Sequence, residues 1–180
     1  LHMIGGLDVP SEGQVIVDGM NLEKMNREAL ALYRRRKVGF IFQQYNLIPD
    51  LNVYDNILFP LELDGRQVDK KFIRELMAVL NISNKKEMLP SMLSGGEQQR
   101  VAIARALGAK PSIILADEPT GNLDTMASHD VIGLLKILAK QYQQTIILIT
   151  HDGDIAQMAD RIVRIEDGKI RKGSEPYAGK

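Results

Sequence analysis

Three short apolar runs divide the chain and predict the strands of a parallel sheet. They are Val38–Phe42, Ile113–Ala116 and Thr145–Thr150. The last two are apolar on both faces, which is typical of strands buried between helices. A helix is predicted between those two runs, over Ser128–Tyr142, because its apolar residues form one stripe. This strand–helix–strand unit indicates a right-handed crossover and an α/β fold, in which helices cover both faces of a mostly parallel sheet.

Further helices are predicted where apolar residues recur at helical spacing. The range Asn26–Lys37 reads as a basic helical connector, and Asp69–Leu80 as an amphipathic helix. Gly96–Ala109 is predicted to be a third helix, with Ser94 placed to cap it. The range 46–64 contains a proline near either end, so we expect a helical middle between two irregular ends.

Two tight turns are predicted from Asp-Gly pairs that follow short apolar stretches. Asp18-Gly19 follows the strand Val15–Val17, and Asp167-Gly168 follows the alternating stretch Arg161–Ile165. The second pair would turn the chain into a short strand at Lys169-Ile170. The second of these turns predicts a hairpin.

The predicted elements form two regions. Residues 1–44 and 110–180 make an α/β core, and residues 45–109 make a helical insert. A chain of 180 residues, 44% hydrophobic, is long enough for such a core. Its 23 basic and 23 acidic residues give a net charge of zero, which does not suggest a polybasic protein, so we expect no nucleic-acid partner.

Two further absences in the sequence limit the chemistry. Without cysteine, the chain has neither disulfides nor thiolate metal sites. No apolar stretch approaches the roughly 18 residues that a membrane-spanning helix needs. If this chain acts at a membrane, it must therefore dock on other subunits.

Polar side chains of catalytic type follow each of the three apolar runs. Gln43 follows the first, Asp117 and Glu118 follow the second, and His151 follows the third. Parallel strands in an open α/β sheet bind their ligand outside their carboxyl ends. The sequence therefore predicts a ligand site that these four side chains share.

A longer motif adds a family resemblance. Leu-Ser-Gly-Gly-Glu at residues 93–97 leads into the helical run 98–107, and Ile-Leu-Ala-Asp-Glu-Pro-Thr follows at 114–120. In this order the motifs resemble the ATP-binding cassette ATPases, the engines of ABC transporters, and the resemblance covers essentially the whole chain. It implies a P-loop NTPase-type sheet, a helical subdomain that carries the signature motif, and ATP and Mg²⁺ as cofactors.

The resemblance implies a role for each polar residue at the strand ends. Asp117 would hold Mg²⁺ through water, since hard cations prefer oxygen ligands. Glu118 would be the general base that deprotonates the attacking water. Gln43, favoured over its neighbour Gln44, would contact both Mg²⁺ and that water. His151 would bind the γ-phosphate and help to hold the water and Glu118 in place.

The signature motif would complete the site of a second subunit. Ser94, Gly95, Gly96 and Glu97 begin a helix, whose free N–H groups and partial positive charge favour phosphate. An ordinary helix cap is the structural alternative. By resemblance, two ATP molecules would lie in a head-to-tail dimer of ATP-binding subunits, and Asp124 would link the two sites along the dimer seam.

One expected motif of the family does not occur here. The phosphate loop (Walker A), Gly-x-x-x-x-Gly-Lys-Ser/Thr, is not found in the 180 residues. The stretch Leu1–Asp8 resembles the residues that directly follow this loop in the family. We therefore expect that the N-terminal strands and Walker A are missing from this sequence.

The resemblance also implies a membrane partner. Apolar residues of the insert would either pack it internally or form a groove for a cytoplasmic helix of a transmembrane permease subunit; they are Leu47, Ile48, Pro49, Leu51, Val53, Tyr54 and Ile57. The runs Phe-Gln-Gln-Tyr-Asn-Leu-Ile-Pro and Thr-Gly-Asn-Leu-Asp look like the branch that serves lipoprotein release, macrolide export and antimicrobial-peptide export. The implied location is cytoplasmic, on the inner face of the cell membrane.

Two alternatives stay open. The chain could be a soluble ATPase of the same fold that acts in DNA repair or translation, although its short insert and single cassette argue against this. It could instead be a non-catalytic cassette that donates only its signature to a complete partner. This last hypothesis predicts activity only on mixing with a full cassette, and loss of that activity in Ser94→Arg.

Overall fold

A computed structural model describes residues 1–171, so the last nine residues of the predicted core lie outside the described residues. The chain forms two compact units, Leu1–Ile149 and the part that starts at Thr150. The elements of the first unit are β1 (Ile16–Val17), β2 (Met20–Asn21), α1 (Arg27–Lys37), β3 (Val38–Phe42), α2 (Val53–Leu63), α3 (Lys70–Val79), α4 (Gly95–Gly108), β4 (Ile113–Asp117), α5 (Thr125–Tyr142) and β5 (Thr145–Ile149). Short 3-10 turns cover Leu22–Lys24, Ser83–Lys85 and Pro90–Met92.

A parallel sheet of order β3-β4-β5 is the centre of the first unit. Its register pairs Phe42 with Asp117 and Asp117 with Ile149, so the three carboxyl ends are level. Helix α4 packs against β3 and against α2, α3 and α5. The predicted α/β fold with parallel strands is confirmed.

The burial predicted for the third strand is wrong. β4 is buried along Ile113–Ala116, as expected. In β5, however, Thr145 and Ile149 are exposed and the three residues between them are only half-buried. Among the described residues β5 and β3 each pair with β4 alone, but β3 is also packed against α1 and α4.

The first predicted turn is present. β1 and β2 pair antiparallel, and Asp18 and Gly19 connect them with φ of 52° and 74°. Two successive left-handed residues form the turn that matches the twist of paired strands. The Asp18 carboxylate also lies 2.9 Å from Lys37 Nζ, which lowers the pKa of Asp18.

Helix α2 is longer than predicted, because it runs through Pro60 to Leu63. A proline inside a helix loses one backbone hydrogen bond. The packing of α2 on α4 outweighs this loss: Ile57 and Leu61 are buried, and the Ile57 side chain lies beside Gly108 of α4.

Helix α5 begins three residues earlier than predicted, at Thr125 instead of Ser128. The reason is a cap: the Asp124 side chain accepts a hydrogen bond of 2.8 Å from the Ala127 N–H. Such a bond satisfies one of the free N–H groups of the first turn. The predicted apolar stripe is confirmed for Val131, Leu135 and Leu138, which are buried.

The second unit contains α6 (Gly153–Gln157), β6 (Ile165–Glu166) and β7 (Lys169–Ile170). The side chain of Asp152 caps α6, a helix that the sequence pattern did not predict. β6 and β7 pair around Asp167-Gly168, as predicted, but the strand expected over Arg161–Ile165 is limited to its end. In the described part of the chain, no helix is long and apolar enough to cross a membrane.

Candidate active site

The level ends of the sheet bring three of the predicted residues to one edge. Gln43 directly follows Phe42, and Glu118 directly follows Asp117, whose strand neighbour is Phe42. Gln43 is exposed, and the two carboxylates are half-buried. His151 belongs to the second compact unit, and its place beside Glu118 stays a prediction.

Glu118 has an unusual backbone for a residue with a side chain. Its φ is +44°, in the left-handed region that glycine favours. Its N–H donates to the Ile149 carbonyl at 3.0 Å, and its own carbonyl accepts from the Gly121 N–H at 3.0 Å. These bonds hold a conformation that costs roughly 1–3 kcal/mol, and such strain is concentrated at functional sites.

The Gln43 side chain is bound to a loop that follows Glu118. Gln43 Nε2 donates to Asn122 Oδ1 at 3.2 Å, and Asn122 Nδ2 donates to the Gln43 carbonyl at 3.0 Å. A Cβ added to Gly121 would lie 2.6 Å from Gln43 Nε2, so this close approach requires glycine.

The loop after Gln43 is held from the other side by α4. Tyr45 and Asn46 both have positive φ, of 59° and 48°. Arg105 of α4 donates to the Tyr45 carbonyl at 2.7 Å and to the Asn46 carbonyl. Burial lowers the pKa of Arg105, but an arginine remains charged at neutral pH. Arg105 thus fixes two left-handed residues at once.

The signature residues form the start of α4. Ser94 Oγ accepts from the Glu97 N–H at 3.3 Å, and Glu97 Oε2 accepts from the Ser94 N–H at 2.8 Å, which makes a reciprocal capping box. The Ser94 N–H, together with Lys85 at 3.2 Å, lowers the pKa of Glu97. Ser94 and Glu97 therefore have a structural role, and their predicted contact with nucleotide stays a prediction.

Glycine at position 95 permits contacts that join three segments. A Cβ added there would lie 2.8 Å from the Tyr45 hydroxyl and 3.3 Å from the Leu123 side chain. The signature, the loop after Gln43 and the loop after Glu118 therefore meet within one chain. At Gly96 there is more space, because an added Cβ would lie 3.7 Å from the Ala127 side chain.

Asp124 is exposed and caps α5, so its role at a dimer seam also stays a prediction.

The oxygen side chains at the strand ends fit a magnesium ion that is shared with phosphates. The described residues contain no group of three or more His, Cys, Asp or Glu side chains placed to hold a metal. Mg²⁺ does not need such a cage, because it usually keeps several waters and takes one or two carboxylates together with substrate phosphates. Asp117, through water, and the carbonyl oxygen of the Gln43 amide would hold the ion.

For two residues that make these contacts, Asn122 and Arg105, the sequence gives no indication of the contact. The sequence pattern places Asn122 only in a loop, and Arg105 only in the helix after the signature. Nothing in a single sequence distinguishes an asparagine that binds a distant side chain from one that faces water. Both contacts connect segments that are far apart along the chain, so only the fold reveals them.

Fold and site together define an α/β domain. Acidic and amide side chains follow strands whose carboxyl ends are level, and a helix capped by Ser94 begins at Gly95. Residues 1–121 match the family described as ABC transporter. The lipoprotein-releasing system ATP-binding protein LolD of Chromohalobacter salexigens is 40% identical over 94% of this chain and 73% of its own length. The chain belongs to the ABC transporter family, which confirms the resemblance of its motifs.

Two further similarities extend this result. MacB of Syntrophobacter fumaroxidans, a macrolide export ATP-binding/permease protein, is 42% identical over 99% of this chain and 25% of its own length. With LolD, it supports the lipoprotein-release and macrolide branch. The solved dimeric post-hydrolysis state of the ATP-binding cassette MJ0796, bound to ADP and Pi, matches with a TM-score of 0.83 and 37% identity over 99% of this chain and 79% of that chain. The chain spans about half the length, or less, of several curated relatives that it matches.

Proposed function

We propose that this chain is the ATP-binding and ATP-hydrolysing part of an ABC transporter and powers export or extraction of a substrate by a membrane partner. The observation that carries this proposal is the meeting of Gln43, Asp117 and Glu118 at the level ends of β3 and β4. The names of LolD and MacB support the direction of transport, since one serves lipoprotein release and the other macrolide export.

Each residue at the strand ends has a distinct chemical task in this proposal. Bound Mg²⁺ would neutralise charge on the transferred phosphoryl group. Asp117 holds the ion through water, and Gln43 presents an uncharged oxygen that binds without titrating. Glu118 accepts the proton of the attacking water, and two backbone hydrogen bonds fix the strained backbone from which its side chain extends. His151 donates to the γ-phosphate and orients the water.

The signature would serve the nucleotide of a second ATP-binding subunit. Residues 94–97 lie at the start of the 14-residue helix α4, whose first N–H groups are suited to bind phosphate. The dimeric state of the solved MJ0796 cassette supports a head-to-tail pair. Asp124 would then link the two sites, with one carboxylate oxygen already fixed by its cap on α5.

The insert, residues 45–109, would dock on the permease subunit at the inner face of the membrane. Of its apolar residues, Val53 and Ile57 are fully buried and pack the insert itself. Leu47, Ile48 and Tyr54 are only half-buried, so they are available for a partner helix. The rest of the chain, 1–44 and 110–180, would form the catalytic core.

The test combines this chain with the motif that its sequence does not contain. ATP hydrolysis would be measured for the 180-residue chain and for a version in which the strand and phosphate loop of LolD precede Leu1. We expect hydrolysis only in the extended protein. Glu118→Gln in that protein should bind ATP normally and hydrolyse it at least about 100-fold more slowly, because a general base contributes roughly 10²–10⁴-fold.

Two controls separate the alternatives. Near-normal turnover by Glu118→Gln would remove Glu118 from the role of base. If neither protein hydrolyses ATP alone, each would be mixed with a complete cassette. Activity that then appears, and is lost in Ser94→Arg, would identify a chain that only donates its signature. Co-purification with ribosomes or DNA complexes would instead favour the soluble ATPase.

A further inference from the structure

The loop at Gly121–Leu123 does more than connect β4 to α5. It contacts both the Gln43 side chain and Gly95 of the signature. We propose that Asn122 is a positioning residue, which fixes the side-chain amide of Gln43 so that its carbonyl oxygen faces the metal. This inference rests on the proposed function, because it assigns the orientation of one of the residues used there.

The two ends of the Gln43 side-chain amide differ in what they can bind. Gln43 Nε2 donates to Asn122 Oδ1, so the donor end of the amide is already used. The remaining end, Oε1, is an acceptor and the only atom of this side chain that can bind a cation. A glutamine amide without a partner turns freely, and in the other orientation its NH₂ group would face the ion. Asn122 therefore selects the orientation that binds metal.

A second bond fixes the orientation of the Asn122 amide itself. Asn122 Nδ2 donates to the Gln43 backbone carbonyl at 3.0 Å, so the two residues exchange a pair of hydrogen bonds. This second bond fixes which end of the Asn122 amide faces Gln43 Nε2. An aspartate at 122 would keep the acceptor for Nε2 but lose the donor to the carbonyl. An alanine would lose both.

The surroundings hold this pair close to the candidate base. Gly121 lies against the Gln43 side chain, where an added Cβ would be 2.6 Å from Nε2 and 2.9 Å from Cδ. The Gly121 N–H donates to the Glu118 carbonyl. One short loop thus connects the backbone of the base with the amide of Gln43. Because Gln43 and Asn122 are both exposed, their bonds add little to folding stability, and variants at 122 should fold.

The first experiment observes the amide directly and does not require catalysis. In ¹⁵N-labelled protein extended by the LolD phosphate loop, the Gln43 side-chain amide signals are assigned by their loss in Gln43→Ala. Mn²⁺·ATP is then added as a paramagnetic probe. We expect strong broadening of the Gln43 amide in the wild type, where Oε1 binds the ion. Broadening should be at least about fivefold weaker in Asn122→Ala, because an NH₂ group does not bind a cation and the exposed Gln43 side chain then moves away from it. In Asn122→Asp it should be near the wild-type level. Asn84→Ala, an exposed asparagine of the insert, is the matched control and should behave as wild type.

The second experiment separates positioning from general damage. We expect Asn122→Ala to raise the Mg²⁺ concentration for half-maximal ATP hydrolysis by about tenfold. Removing a residue that orients a metal ligand typically costs about 10–100-fold in metal affinity, and this value is at the lower end. The KM for ATP at saturating Mg²⁺ should stay within about twofold. Equal broadening in wild type and Asn122→Ala, or no broadening of Gln43 in the wild type, would overturn the inference. Broadening without any hydrolysis would support the positioning role while refuting the proposed activity.

Discussion

The neighbouring strands β4 and β5 are almost equally apolar, yet β4 is buried and β5 is partly exposed. β4 has the sequence Ile-Ile-Leu-Ala-Asp and β5 has Thr-Ile-Ile-Leu-Ile. Ile114 and Ala116 of β4 are fully buried, whereas Ile149 of β5 is 43% exposed. Composition alone would rank β5 as the more hydrophobic strand. The difference teaches that the burial of a strand depends on which elements pack against it and not on its own composition.

The neighbours of the two strands explain the difference. β4 pairs with β3 on one side and β5 on the other. β3 in turn is covered by α4, so closely that Gly39 leaves no space for a side chain. We call β3, β4 and α4 the packed side of the sheet and β5 with α5 the open side. Substitutions on the two sides should have effects of different size, and sometimes of different sign.

The largest difference should come from shortening one isoleucine on each strand. Ile114→Ala removes a fully buried side chain from β4, and we expect a loss of about 3 kcal/mol in the free energy of unfolding. Ile149→Ala is the matched control on β5, with an expected loss of less than about 1 kcal/mol. Urea unfolding measures both. Equal losses would mean that β5 is as buried as β4 in solution.

Adding a methyl group to the packed side should also be costly. A Cβ at Gly39 would lie 2.9 Å from the Ala106 carbonyl oxygen of α4 and 3.2 Å from Pro111. Because a backbone atom cannot move aside cheaply, we expect Gly39→Ala to lower the free energy of unfolding by about 1–3 kcal/mol. The same denaturation assay measures this. A stable Gly39→Ala protein would show that α4 can shift away from β3.

The same substitution on the open side should have the opposite sign. Gly133 lies in the middle of α5, and a Cβ there would meet nothing within 4 Å. Alanine is a better helix former than glycine, so we expect Gly133→Ala to raise the free energy of unfolding by about 0.5–1 kcal/mol. A rise in the thermal midpoint would support this expectation. A fall would reveal a neighbour of α5 in solution that a methyl group displaces.

The smallest effect concerns the start of α4 and depends on pH. The pKa of Glu97 is lowered, mainly by the Ser94 N–H, so its charged form stabilises the folded state. This contribution is present at pH 7 and is lost as the pH falls below the usual glutamate value of about 4.3. Since Glu97 is partly exposed, we expect Glu97→Gln to cost only a few tenths of a kcal/mol at neutral pH.

A pH series provides the control for this prediction. Unfolding of wild type and Glu97→Gln would be compared at pH 7 and at pH 3. The difference between the two proteins should shrink in acid, because the wild-type carboxylate gains a proton and becomes uncharged like the glutamine. A difference that stays constant would mean that the charge of Glu97 contributes nothing and that the capping geometry alone matters.

Several features of the site follow from the sequence because they depend on short-range rules. The bounds of β3 are predicted to the residue, and the cap of α4 is predicted at Ser94. Strand ends and caps depend on residues within one or two turns of each other. The convergence of Gln43, Asp117 and Glu118 needs only the further rule that parallel strands place their carboxyl ends at one edge. The same rule predicts that His151 lies at this edge, and this stays a prediction.

The features that the sequence missed depend on long-range contacts. Gln43 and Asn122 are 79 positions apart, and Arg105 lies 60 positions from Tyr45. The pattern of apolar and polar residues by itself determined most strands and helices of the first unit, and which polar side chains follow its parallel strands. Only the tertiary structure decided how deeply β5 is buried, which residue orients the Gln43 amide, and which helix fixes the loop beyond it. The physical reason is that burial and pairing depend on which segments meet in space, and a local pattern does not contain that information.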